Sequence, residues 1–198
     1  MTVGVSTTRI NTAGLRLDFS RVAAPWVWDA SLDAENGAGR SPARFSPIDA
    51  HYVRLQGNSR LQYYFGAASV SARVNAQWSD ARLAPSEQFT LTGYVQGFSP
   101  FAINANNGAA VQLEIARPLP VQRAGLGALR PSLGLAWALA PHAGGNAVRE
   151  QLAALTTGVA LPWRRALANV GLAFPLKTLN TMDAPQDWQL DASVSLQW

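Results

Sequence analysis

Residues 188–198 read Trp-Gln-Leu-Asp-Ala-Ser-Val-Ser-Leu-Gln-Trp, and apolar and polar side chains alternate through the whole run. Strict period two is the pattern of a β-strand with one apolar and one polar face. The run is about as long as a tilted strand that crosses a bilayer, which needs roughly 9–11 residues. A soluble β-sandwich can also contain one such strand, so the rest of the chain has to decide between the two classes.

The same alternation recurs along most of the chain. Its other segments are residues 15–20, 26–35, 51–65, 68–79, 111–115, 133–139, 153–161 and 166–174. Together with the last run they predict about nine strands, or about ten if residues 2–9 also pair. Pro, Gly, Asn and Asp cluster between the segments, at 37–47, 118–131, 141–146, 162 and 175–185. Because proline cannot donate to a β-ladder, we expect it to be almost confined to these breaks.

The polar faces of these segments carry Arg, Gln and Asn. In a soluble sandwich the apolar faces would pack on each other, whereas in a membrane barrel they meet lipid and the polar faces line water. Trp and Tyr near the strand ends favour the aromatic girdle of a membrane barrel. On this interpretation the side chains predicted to face the lumen are Arg54, Gln56, Arg73, Gln77 and Glu114. Those predicted to point outward are Val53, Leu55, Val74, Val111 and Leu113.

Composition narrows the function classes. The 198 residues are 48% hydrophobic and 14% charged. The mean hydropathy is +0.00, as expected when apolar and polar faces alternate. The chain has no cysteine, which excludes a disulfide or a thiolate metal site. Its net charge is +4, but the arginines are dispersed along the polar faces rather than clustered, so nucleic acid is not an expected partner.

The sequence offers little support for an enzyme or a cofactor site. His51 and His142 lie in different breaks, and a lone loop histidine is far more often solvated than a ligand. Asp183, Asp187 and Asp191 near the last loop are better explained as solvated side chains than as a cation site. No Ser–His or Asp–His constellation stands out. We therefore expect no catalytic residues, no metal and no cofactor.

The middle of the chain carries motifs that identify a family. They are Gln77-Trp78-Ser79-Asp80, then Leu83-Ala84-Pro85-Ser86-Glu87-Gln88-Phe89, then Val95-Gln96-Gly97-Phe98, and finally the stretch from Asn107-Gly108 to Arg117-Pro118. They resemble the two-partner secretion transporters of the ShlB/FhaC/HecB haemolysin secretion/activation family. The terminal strand ending in Trp198 likewise resembles the assembly signal at the C-terminus of bacterial outer-membrane barrels.

The resemblance implies an all-β fold, an antiparallel up-and-down transmembrane barrel. Residues 1–198 would form its C-terminal portion, about nine or ten of about sixteen strands, without POTRA domains. The implied function is translocation of a secreted haemolysin- or adhesin-type exoprotein across the bacterial outer membrane. The implied partners are outer-membrane lipid, the barrel-assembly machinery and the exoprotein. A small standalone outer-membrane barrel with a structural or adhesive role is the alternative, and a soluble β-protein or barrel enzyme is a third.

The resemblance also implies a loop that enters the pore, made by Ser86, Glu87, Gln88 and Phe89 and tipped by Val95, Gln96, Gly97 and Phe98. This chain departs from the family there. Gln96 stands where the family has Arg, and residues 130–137 lack the Asp that would pair with it. We therefore expect a weaker latch between loop and wall. The start of the chain has no signal peptide, so we expect it to be a fragment.

Overall fold

The computed structural model describes residues 9–40, 51–98, 104–121, 127–141, 149–163, 166–179 and 188–196. Its strands are β1 (Arg9–Ala23), β2 (Trp26–Arg40), β3 (His51–Phe65), β4 (Ala68–Ser79), β5 (Phe89–Thr90), β6 (Asn104–Ala105), β7 (Gly108–Ala116), β8 (Arg130–Pro141), β9 (Arg149–Trp163), β10 (Ala166–Leu179) and β11 (Gln189–Leu196). A short 3-10 turn covers Leu91–Gly93. No helix in these ranges is long and apolar enough to cross a membrane.

Nine of the strands form one antiparallel sheet in the order β1-β2-β3-β4-β7-β8-β9-β10-β11, and β5 and β6 pair separately. Every main-sheet strand therefore lies beside its neighbours along the chain, which is the up-and-down order. This confirms the predicted fold class and the nine alternating segments. Within the described ranges β1 pairs only with β2 and β11 only with β10, so the sheet is open at both edges. The additional strand considered for residues 2–9 falls almost entirely outside these ranges.

The register of the ladders gives the sheet two chemically different faces. Leu55 pairs with Trp78 and Val74 with Val111, so apolar residues of one strand adjoin apolar residues of the next. The described residues between β4 and β7, 80–98 and 104–107, contact the opposite face, and we call that side the inner face and these residues segment 80–107. The outer face exposes large apolar side chains along most of the strands, among them Leu17, Leu32, Leu55, Val74, Leu113, Leu135, Val159, Val170 and Val194.

Aromatic side chains gather where the strands end. Trp26 and Tyr63 pack with ring centroids 4.3 Å apart beside the tight turn between β1 and β2. Tyr63 also stacks with Phe65 at 6.2 Å. On the outer face towards the other ends of the strands lie Trp78 and Trp137, both exposed. Exposed aromatics on both sides of an apolar band are the pattern of a membrane-spanning barrel wall.

The expectation for proline was wrong in part. Pro131, Pro162 and Pro175 lie inside strands rather than in breaks. Pro131 and Pro162 are each one residue from a strand end, where a missing N–H does little harm to the ladder. Pro175 stands at a register shift between Pro175 and Lys177, and a bulge is the other place where a sheet accepts proline.

An arginine introduced on the outer face should cost far more than one on the inner face. Val74 lies near the middle of β4 and is exposed on the apolar side. If lipid covers that side, Val74→Arg should destabilise the inserted protein by about 2–4 kcal/mol. Ser71→Arg on the inner face of the same strand is the matched control and should change little. Urea unfolding of the complete protein in lipid vesicles measures both, and equal effects would contradict the assignment of the faces.

Candidate functional site: a segment folded onto the inner face

Segment 80–107 returns to the sheet instead of extending away from it. Its apolar side chains are buried: Leu83, Phe89, Leu91, Val95, Phe98 and Ala105. All of them except Leu83 pack on a wall of mostly small residues: Ala110, Ala136, Ala138, Ala140, Leu152 and Ala154. These wall residues belong to β7, β8 and β9, and their short side chains leave room for the segment. The alternation of large and small residues in β8 is explained in this way, because its large residues point outward and its alanines receive the segment.

Gly108 leaves the space in which the Phe89 ring packs on the wall. A Cβ atom on Gly108 would lie 2.4 Å from Cδ1 of the Phe89 ring, so only glycine fits beneath it. The other side of the ring stacks on Tyr94, with centroids 4.7 Å apart and planes 18° apart. Burial raises the pKa of the Tyr94 phenol above its ordinary value. The Phe89 of the sequence motif is thus a packing anchor.

Amide side chains hold the two ends of the segment together. The Leu83 N–H donates to Asn106 Oδ1 at 3.0 Å, and Gln88 Nε2 donates to the Leu83 carbonyl at 3.1 Å. The Ser79 N–H donates to Asn107 Oδ1 at 2.6 Å. Gln88 therefore shapes the start of the segment, whereas Ser86 before it is exposed.

Glu87 joins the segment to β3 and β4. Its carbonyl accepts hydrogen bonds from Gln77 Nε2 at 2.9 Å and from Arg54 Nη1 at 3.3 Å. Arg54 also forms an ion pair with Glu35 on β2, and both side chains are largely shielded from solvent. The Glu87 carboxylate lies near the Tyr52 hydroxyl, and Glu87 Oε2 and that hydroxyl are both buried without a hydrogen-bond partner. Three residues that the sequence singled out therefore meet here, and Tyr52 joins them unpredicted.

The tip of the segment is Val95-Gln96-Gly97-Phe98. Gly97 has a φ of +91°, a conformation that favours glycine. Its N–H donates to Gln189 Oε1 on β11 at 3.1 Å. Just before the tip, the Tyr94 carbonyl accepts a hydrogen bond from Gln112 Nε2 on β7 at 2.6 Å. Val95 and Phe98 are buried, whereas the side chain of Gln96 is exposed.

Gln96 opens onto a cavity of about 450 Å³ on the inner face. Residues of β7 to β11 line it, including Glu114, Ser132, Thr156, Asn169 and Asp191. Two carboxylates are therefore near Gln96, although β8 supplies none. Glu114 is engaged by Arg130 at 3.7 Å, and Asp191 accepts a hydrogen bond from Gln189 at 3.2 Å. Each of these two carboxylates therefore already contacts another polar side chain.

All five side chains predicted to face the lumen project from the inner face, and they fall into two groups. Arg73 and Glu114 lie around the tip, where they line a cavity with Tyr94, Gln96 and Gln112. Arg54 and Gln56 line another cavity, between β1 and β3. Gln77 donates a hydrogen bond to the Glu87 carbonyl of the segment.

Sequence reasoning missed Tyr52, Gln112 and Gln189. Their only signal was their place among the polar residues of period-two strands, which they share with many others. The predicted assembly residue Trp198 lies outside the described residues, as do His142, Asp183 and Asp187. The described part of the chain has no group of three or more His, Asp or Glu side chains placed to hold a metal ion.

These features define a class of protein: a wall of a membrane-spanning antiparallel barrel with a long loop folded onto its inner face. The chain belongs to the haemolysin secretion/activation protein family ShlB/FhaC/HecB, whose family model matches residues 1–161. A search of the curated proteins found no match.

Solved structures share the fold. CdiB from Escherichia coli aligns with a TM-score of 0.71 and 18% identity over 94% of this chain. CdiB from Acinetobacter baumannii aligns with a TM-score of 0.54 and 14% identity over 96% of it. The chain spans 37% and 42% of the length of those two proteins.

Filling the space under Phe89 should detach the part of segment 80–107 around Phe89 from the wall. Gly108→Ala places a methyl group against the ring, so Phe89 must leave its seat on the wall. We expect a loss of about 1–3 kcal/mol from overpacking. Ala109→Gly, on the outer face beside it, is a control that leaves the seat intact. Limited proteolysis within residues 80–107 measures the release, and equal cleavage of both variants would show that Phe89 is not the anchor.

Proposed function

We propose that residues 1–198 form part of a larger outer-membrane barrel that translocates a secreted partner protein of the haemolysin or adhesin type. Membership of the ShlB/FhaC/HecB family supports this proposal. The observation that carries it is segment 80–107, which occupies the polar inner face with its motif residues Glu87, Gln88 and Phe89 in contact with the wall. A segment in that place narrows the passage along the inner face and limits the shape of a protein that moves through it.

The two faces suit different partners. Lipid covers the outer face, because large apolar side chains are exposed there. The exoprotein passes along the inner face, where Arg54, Gln56, Arg73, Gln77 and Glu114 present charged and amide groups to water. The barrel-assembly machinery inserts the strands, and Trp198 belongs to the signal it reads.

A standalone barrel with a structural or adhesive role is the less favoured candidate. Such a barrel would have to close on itself by pairing β1 with β11. In the described residues β1 pairs only with β2 and β11 only with β10. An open edge in a bilayer leaves backbone N–H and C=O groups without partners, each at a cost of several kcal/mol, so further strands are needed to complete the wall.

The direct test is secretion. The complete protein is co-expressed with an exoprotein of the haemolysin or adhesin type, and the exoprotein that reaches the medium is measured. Secretion that requires the complete protein supports the proposal. Normal insertion of the protein into the outer membrane without any secretion would contradict it.

Restoring the family's arginine should not improve secretion by itself. In Gln96→Arg the new guanidinium enters a cavity whose carboxylates, Glu114 and Asp191, are already engaged. Gln96→Arg combined with Ser132→Asp provides a partner on β8, because Ser132 lines the same cavity. A charged hydrogen bond contributes about 1.5–3 kcal/mol, against about 0.5–1.5 for a neutral one.

We therefore expect tighter retention of the segment only in the double variant. Secretion assays and proteolysis of residues 80–107 compare the two variants with Ser132→Asp alone as the control. An improvement from the single Gln96→Arg change would show that the arginine needs no partner on β8.

A further inference from the structure

We propose that Gln112 and Gln189 are positioning residues that hold the tip of segment 80–107 by two uncharged hydrogen bonds of opposite polarity. Gln112 donates to the backbone just before the tip, and Gln189 accepts from the backbone within it. The inference rests on the proposed function only in taking the inner face as the lining of a pore. Together the two amides form what we call the amide latch.

Gln112 supplies the donor. Its Nε2 lies 2.6 Å from the Tyr94 carbonyl oxygen. A carbonyl can only accept, so the residue at this position must carry an N–H or O–H group. Gln112 projects from the inner face of β7, next to Glu114 on the same face. Tyr94 is held in place by its stacking on Phe89, so the hydrogen bond ties a packed part of the segment to the wall.

Gln189 supplies the acceptor, and Asp191 beside it sets the orientation of the Gln189 side-chain amide. The Nε2 group donates to Asp191 Oδ1 at 3.2 Å. Because a carboxylate can only accept, Asp191 turns the amide so that Oε1 faces the segment. The Gly97 N–H then donates to Oε1 at 3.1 Å. Asp191 therefore acts on the tip through Gln189.

The backbone of the tip is shaped to make this contact. Gly97 has a positive φ and its N–H faces Gln189 on β11, and a Cβ atom at this position would lie 3.3 Å from Pro175 Cδ. Tyr94 and Gly97 flank Val95-Gln96 in the chain, so β7 contacts one end of the tip and β11 the other. Val95 is fully buried in the apolar cluster, whereas Gln96 lines the cavity.

An uncharged latch has a different dependence on salt from an ion pair. Exposed charge pairs weaken as ionic strength rises, since the Debye length falls from about 10 Å at 0.1 M to about 3 Å at 1 M. Hydrogen bonds between amides and backbone groups lack that dependence. The position of the tip should therefore be insensitive to salt, although the Glu114–Arg130 ion pair lines the same cavity.

The experiment measures how often the tip leaves the wall. The 198 residues contain no cysteine, so Val95→Cys introduces a single thiol among them at a fully buried position. Any other cysteine of the complete protein is replaced by serine. Outer-membrane vesicles carrying the complete protein are treated with a maleimide, and the labelling rate reports displacement of the tip.

Substitutions that remove either hydrogen bond should speed the labelling of Cys at position 95, and a substitution pair that restores the acceptor should slow it again. Gln189→Met keeps the length of the side chain but removes the acceptor, and we expect about threefold to tenfold faster labelling, tenfold corresponding to about 1.4 kcal/mol. Gln112→Glu should have a similar effect, because a carboxylate cannot donate to the Tyr94 carbonyl. The double variant Gln189→Glu with Asp191→Asn exchanges amide and carboxylate at constant charge, so the acceptor for Gly97 returns and slow labelling should return with it.

Two controls make the result interpretable. Gln62→Met removes an amide from the inner face of β3 that bonds to Arg60 instead of the segment, and labelling should not change. All rates are compared at about 0.05 M and about 0.5 M NaCl, where an uncharged latch predicts the same ranking and similar values. Heat-resistant migration in gels confirms that each variant is inserted, and Gln112→Met replaces Gln112→Glu if the latter fails to insert.

The inference would be overturned by unchanged labelling in inserted Gln189→Met and Gln112 variants. Fast labelling before any glutamine is changed, or a strong loss of retention at high salt, would overturn it as well. Failure of the exchanged pair to restore slow labelling would show that Gln189 does not act as the acceptor. These outcomes are independent of exoprotein secretion, whose absence from the unaltered protein would contradict the proposed function and leave the latch standing.

Discussion

The structure depends on the packing of segment 80–107 against a wall of small side chains. A single sheet with a polar inner face has no second sheet to cover it, and its large outer side chains remain exposed in the isolated chain. The buried apolar cluster is formed by the segment and by the parts of β7, β8 and β9 beneath it. Ala136, Ala138 and Ala140 make that cluster possible because longer side chains would fill the space that the segment occupies. Burial of apolar area therefore stabilises the position of the loop, while the ladder hydrogen bonds stabilise the wall.

The charges of the inner face are arranged mainly as local pairs. Arg54 pairs with Glu35, Arg130 with Glu114, and Arg16 with Asp18 and Asp33, each within a strand or between adjacent strands. The exposed pairs, those of Arg16 and Arg130, contribute about 0–1 kcal/mol each, so they contribute little to stability. Their effect is to distribute arginine over the wall.

The strands could be predicted from the sequence because period two is a local property, readable within a few residues. Short turns then place each strand beside the next, which yields the up-and-down order without further information. The residues that meet at the candidate site were harder to predict from the sequence. Glu87 and Arg54 are 33 positions apart and Gly97 and Gln189 are 92 apart, and no local pattern connects them.

The resemblance to a family pointed to Gln96, yet the residues that hold the tip are Gln112 and Gln189. On their strands they look like any other polar residue facing the inner side. Only their partners distinguish them, and those partners belong to a loop whose path the sequence does not reveal. Pro175 was misjudged for a related reason, because a bulge in β10 cannot be recognised without the strand that opposes it.

That bulge couples the length of a strand to the position of a loop. The register shift between Pro175 and Lys177 lies where Gly97 comes closest to β10, against Pro175 and the backbone of Ala173. Deleting one residue there would make the ladder regular and at the same time move the surface on which the tip rests. Insertions and deletions in β10 are thus constrained by the loop as well as by the sheet. Over evolution the lengths of β10 and of segment 80–107 should therefore change only together. The register shift in β10 is part of the surface on which the tip packs.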